Sequence, residues 1–138
     1  MTQDDTVRGA CLCDAVAFRL YGKKRGIIAC HCAECRKVSG HYWAATSVAE
    51  DDLQFDCKDG LAWYRSSDAI TRGFCNRCGS TLFYKPLQEA RIVVSAGALE
   101  PGTGLSLIKH AFVAEKGDYY AIADDAPQHA HFTGGERA

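Results

Sequence analysis

The spacing of the cysteines constrains this chain more than any other feature. Eight occur among 138 residues, and seven fall into three tight groups. These are Cys11-Leu-Cys13, Cys30-His-Cys32-Ala-Glu-Cys35 and Cys75-Asn-Arg-Cys78, while Cys57 stands apart. The density lies below the roughly 8–10% of a disulfide scaffold. The N-terminal residues carry no apolar run of secretory type, so a reducing, cytoplasmic setting is expected. In that setting clustered cysteines point to metal or catalysis and away from disulfides.

Cys75-x-x-Cys78-Gly79 is the strongest local signal. A turn of this kind brings two thiolates to one ion, and the glycine permits the tight backbone. In an extended Cys11-Leu-Cys13 both thiols share a face, with Leu12 pointing elsewhere. The two doublets together make a closed tetrahedral thiolate set, the donor set of a structural zinc. Cys30, Cys32 and Cys35 form a triplet with no evident fourth partner and with His31 directed away. Three protein ligands and an open position describe a catalytic zinc, giving two Zn2+ per chain. Other readings of the same residues are seven apolar buried thiols, a second structural zinc completed by a histidine or Cys57, and a redox pair at Cys32 and Cys35.

Val16, Phe18 and Leu20 alternate with period two, as in a half-buried strand. Further strands are expected at 27–31, 41–48, 53–55, 61–65, 70–74, 81–84, 91–95, 105–114 and 119–122. A short helix is expected over 33–38, closed by Ser39-Gly40. Many short strands with turn residues between them predict a mainly β fold with little helix. One domain over 1–138 is expected, its core about 9–128 and its termini frayed. Lys and Arg number 16 against 17 Asp and Glu, a net charge of −1. That balance lacks the basic footprint of a nucleic-acid binder. No apolar stretch is long enough for a membrane helix.

The motifs, in this order, resemble the glutathione-dependent formaldehyde-activating enzyme family, also called the centromere-protein-V-like domain. The resemblance rests on Gly9-Ala-Cys-Leu-Cys13, Cys30-His-Cys-x-x-Cys-Arg36 with Ser39-Gly40, and Arg72-Gly-Phe-Cys-x-x-Cys-Gly-Ser80. Gly97-x-Leu99, His110 and Asp124-Asp-x-Pro-Gln128 complete it. It implies a Mss4-like fold of short antiparallel strands around zinc knuckles. It also implies a structural zinc at Cys11, Cys13, Cys75 and Cys78, and a catalytic zinc at Cys30, Cys32 and Cys35. The implied activity is that of a carbon–sulfur lyase, condensing glutathione with formaldehyde to S-(hydroxymethyl)glutathione.

Zinc held by three thiolates is a mild Lewis acid that suits an incoming thiol, which it deprotonates. His41 and His110 are candidate proton carriers for that chemistry. Arg36 and Arg72 are candidate anchors for the carboxylates of glutathione. The competing reading is a non-catalytic zinc module of the same fold that binds a protein partner.

Overall fold

The structure is a computed structural model and describes residues 5–131. Ten strands form two sheets. The smaller contains β1 (Val7–Ala10), β2 (Ala17–Leu20) and β5 (Leu53–Cys57), in the order β1-β2-β5. The larger has the order β10-β3-β4-β9-β8-β7-β6. Its strands are β3 (Ile27–Cys30), β4 (Trp43–Ala49), β6 (Leu61–Arg65), β7 (Ile70–Cys75), β8 (Thr81–Pro86), β9 (Arg91–Ser95) and β10 (Leu107–Ala111). Every pair is antiparallel except β10 with β3, which runs parallel. The mainly β expectation is met. Among the described residues no helix is long and apolar enough to cross a membrane.

The two sheets meet through aromatic packing. Phe18 from β2 is 1% exposed, and its ring lies 5.1 Å edge-on from that of Phe83 on β8. Val16, Leu20, Val48, Leu82, Ile92 and Val94 fill the same core. This is the alternation read from Val16, Phe18 and Leu20. Strand β1 was not expected, because Arg8 and Gly9 carry no strand preference. Gly9 pairs with Phe18 across the hairpin, and a Cβ there would stand 2.5 Å from the Phe18 ring. The absent side chain is therefore what lets the aromatic ring into the core.

Helix α1 (Ala33–Ser39) ends at Gly40, as the sequence suggested. Its N-cap is Cys32, whose sulfur accepts from the Cys35 backbone N–H at 3.3 Å. Residues 119–122 form no strand, contrary to expectation. Side chains hold them instead: the Tyr120 hydroxyl bonds His31, and Lys116 donates to the Tyr120 carbonyl. The chain then returns along β10, where His110 N–H donates to Pro127 C=O at 2.8 Å and His129 N–H to His110 C=O at 2.9 Å. His129 is thereby tied to the sheet, one residue beyond the expected core boundary at 128. The expected fraying of the termini falls mostly outside the described residues.

Candidate functional site

Cys11 and Cys13 sit in the turn between β1 and β2, not in the extended segment expected for them. The turn is closed by Cys11 N–H to Val16 C=O at 2.9 Å and by Asp14 N–H to Cys11 C=O at 3.2 Å. Leu12 is left 85% exposed. Cys75 ends β7, and Cys78 follows in a turn closed by Gly79 N–H to Cys75 C=O at 2.8 Å. The four sulfurs lie within 4.8 Å of one another. Cys13 Sγ stands 3.8 Å from Cys11 Sγ and 3.7 Å from Cys75 Sγ. A tetrahedron with metal–sulfur bonds of about 2.3 Å has sulfur–sulfur edges of about 3.8 Å. Backbone N–H groups of Val16 and Arg77 also point at Cys11 and Cys75 sulfurs, at 3.2 and 3.4 Å. Ser80 Oγ lies 3.2 Å from Cys78 Sγ, and its hydrogen bond is the main cause that brings that thiol down to about 5. This donor set fits a metal ion.

The second cluster joins the end of β3 to the start of α1. Cys30, Cys32 and Cys35 are free thiols with sulfurs within 4.8 Å of one another. They share charge unevenly. Hydrogen bonds from Cys30 and Cys35 bring the Cys32 thiol down to about 2, while Cys30 is pushed up by its bonds to the other two. Cys30's hydrogen bond lowers Cys35, but Cys32 and burial outweigh it and raise that thiol to about 11. Three thiols at this spacing, two of them buried, cannot all ionise without a cation among them. The trio therefore also fits a metal ion, and among the described residues no fourth protein sulfur joins it.

The trio opens on a cavity of about 150 Å3, walled by Glu34, Trp43, Ile70, Arg72, Tyr84 and Phe112. Arg72 is 5% exposed. Its Nε donates to Glu34 Oε1 at 2.6 Å and its Nη2 to Cys35 Sγ at 3.6 Å. The guanidinium lies 4.9 Å from the Tyr84 ring centre and 5.8 Å from that of Trp43. Burial lowers its pKa, but Cys35 and Glu34 outweigh this and raise it overall. Phe112 reaches the cavity from a left-handed backbone, φ 56°. A larger groove of about 510 Å3 runs past Cys11, Val38, Ser80 and Gly97 and shares Trp43 as a wall.

The expected histidines lie elsewhere. His31 points away from the cavity and is fully buried. Its Nε2 bonds His110 Nδ1 at 2.9 Å, and His110 Nε2 bonds Asp124 Oδ1 at 3.0 Å. Because Asp124 only accepts, one set of neutral tautomers satisfies the chain: Tyr120 O–H to His31, His31 N–H to His110, His110 N–H to Asp124. Burial, then the charges of His110 and His41, depress His31 to about 4. His41 bonds the Tyr119 hydroxyl outside the cavity lining. Arg36 is half-buried on α1 and also lies outside that lining. Cys57 joins neither cluster and donates to Ala15 C=O at 3.3 Å. Nothing local marks Glu34, Tyr84, Trp43 or Phe112 as site residues in the sequence, since each comes from a different element.

The sequence profile of the family described as glutathione-dependent formaldehyde-activating enzyme matches residues 6–115. An uncharacterized lyase of Schizosaccharomyces pombe is 29% identical over 76 residues, covering 55% of this chain. The chain spans about half, 55%, of that relative's length. A crystal structure of a Rhodobacter sphaeroides protein shares the fold, with TM-score 0.56 and 22% identity over 68% of this chain and 88% of that one. With four-fifths of its length under one family profile, this chain belongs to the glutathione-dependent formaldehyde-activating enzyme family.

Proposed function

We propose that this chain is a zinc-dependent enzyme of the carbon–sulfur lyase type. Its reaction is the reversible addition of glutathione to formaldehyde, giving S-(hydroxymethyl)glutathione. One observation carries the reading: three free, clustered thiols form a wall of a cavity otherwise lined by an arginine–glutamate pair and apolar side chains. The names borne by the family and by the yeast relative support it.

In this reading Cys11, Cys13, Cys75 and Cys78 hold a structural zinc, and Cys30, Cys32 and Cys35 hold a second zinc. When bound at the trio, that zinc supplies a fourth position at which a substrate thiol is held as thiolate. Trp43, Tyr84 and Phe112 keep bulk water from the reacting sulfur. The larger groove that shares Trp43 offers room for the rest of a tripeptide, which the small cavity lacks. His110 acts as a positioning residue. It holds His31, and through it the backbone between Cys30 and Cys32, from the face opposite the cavity. The proton lost by the thiol returns to the new hydroxyl through solvent. A reducing, cytoplasmic setting belongs to this reading, because it keeps the thiols free and supplies glutathione.

The test is metal analysis together with exchange spectroscopy of the glutathione–formaldehyde equilibrium. The wild type should hold two zincs and speed the exchange above buffer. Cys32→Ser should hold one zinc, stay folded and lose the acceleration. A wild type that exchanges no faster than buffer would leave only a zinc-binding interaction module.

A further inference from the structure

The feature left over is one nitrogen of Arg72. The side chain is 5% exposed, and Nε and Nη2 are engaged by Glu34 and by Cys35 Sγ. Nη1 is buried with no hydrogen-bond partner. A buried donor of this kind is costly to leave unmade, and a charged one more so. The rings of Tyr84 and Trp43 flank the guanidinium, so it cannot easily turn away to find water. The same residue lines the cavity beside the three thiols.

Charge gives the nitrogen its purpose. A divalent cation held by three thiolates has a net charge of −1. A fourth thiolate makes it −2, inside walls formed by Trp43, Ile70, Tyr84 and Phe112. Low-dielectric surroundings disfavour that excess. Glu34 adds to it but is exposed and already paired with Arg72. Arg72 is the cation in the cavity lining. Its Nη2 already reaches Cys35 Sγ, so the unmatched Nη1 belongs to a guanidinium that lies against the thiol trio and lines its cavity.

We infer that Arg72 is the thiolate-recognition residue of the cavity, its unmatched Nη1 donating to the substrate sulfur and its charge offsetting the fourth thiolate. This rests on the thiol-binding reading above. The thiol S–H loses its proton to solvent, the sulfur enters as an anion, and no electron is transferred. A neutral ligand gains nothing from Arg72. The residue thus favours anionic sulfur over neutral donors such as imidazole, and the carboxylate it grips is that of Glu34 and not one of the substrate.

The experiment is calorimetric titration of the zinc-loaded protein with three probes: 2-mercaptoethanol, which has no carboxylate, imidazole, and glutathione. Wild type is compared with Arg72→Gln and Arg72→Lys, with zinc content measured on each. Arg72→Gln should keep both zincs, bind 2-mercaptoethanol at least tenfold more weakly and bind imidazole as before. Arg72→Lys should fall between. Equal weakening of 2-mercaptoethanol and imidazole would overturn the inference, because Arg72 would then merely shape the site. Weakening of glutathione alone would overturn it in favour of a carboxylate anchor. If Arg72→Gln loses zinc, Arg72→Lys decides, and loss of zinc from both variants also overturns it. Failure of wild type to bind glutathione while 2-mercaptoethanol behaves as stated would sink the glutathione reading and leave this one standing.

Discussion

Gly79 follows the last cysteine of the closed cluster with φ 80° and open space where a Cβ would stand. Only the backbone conformation therefore resists a side chain there. A left-handed residue with a Cβ costs roughly 1–2 kcal/mol, and β-branching adds to it. Gly79→Val should lower the unfolding free energy of the zinc-loaded protein by that order, read as a lower denaturant midpoint at unchanged slope and zinc content. An unchanged midpoint would show that the turn does not depend on this conformation. At this scale the thiol groups are legible because their spacing is local: three, four and six residues of chain bring the members of each group together. Arg72 is legible as a cation near a cysteine motif. Its pairing with Glu34, 38 residues away, is set by the packing of α1 against the large sheet and leaves no trace in either segment.

Strand β10 lies at the edge of the large sheet and would present unpaired backbone to solvent. The segment around Pro127 to His129 covers part of that edge, and Asp124 anchors it through His110. The hydrogen bond from His110, helped by the Ala126 N–H, holds the Asp124 carboxyl below its ordinary value of 3.8. A depressed acid contributes stability above its unfolded pKa and loses it as pH falls through the folded one. Asp124→Asn should therefore melt below wild type near pH 6, and the gap should close below about pH 4. A gap that persists in acid would mean that shape rather than charge holds the segment. Reading this element from sequence failed at residues 119–122, where Tyr-Tyr-Ala-Ile has strand composition. Tyr120 is used for a side-chain bond to a buried histidine instead of for a ladder. The hairpin at β7 and β8, by contrast, was legible because turn chemistry and alternation agree there.

Across the molecule the two cysteine clusters have different reach. The first joins the β1–β2 turn to the β7–β8 turn, spanning 62 residues between Cys13 and Cys75 and tying the small sheet to the large one. Metal bound there closes a long loop and is coupled to folding. The second lies within Cys30 to Cys35, on a segment the sheet already holds. Gentle chelation should therefore remove one zinc with circular dichroism unchanged, and the second only with loss of structure. Cys78→Ser should be largely unfolded. Simultaneous loss of both metals with unfolding would make the trio structural too. The four-plus-three partition was legible because each group has its own spacing. The parallel seam of β10 on β3 was not, since nothing local records a pairing across so much chain.

Trp43 adds an optical consequence. The chain has two tryptophans. Trp43 is 4% exposed, bonded to Ser95 Oγ at 3.2 Å, and forms a wall between the thiol cavity and the larger groove. Trp63 sits on edge strand β6, 43% exposed and outside the lining of both cavities. An indole's emission shifts to the blue in apolar surroundings and is quenched by nearby thiolates and cations. The protein thus carries one fluorophore against the three sulfurs and one outside their cavity, so that events among the sulfurs are written in the blue edge of its own spectrum while the red edge stays as a reference.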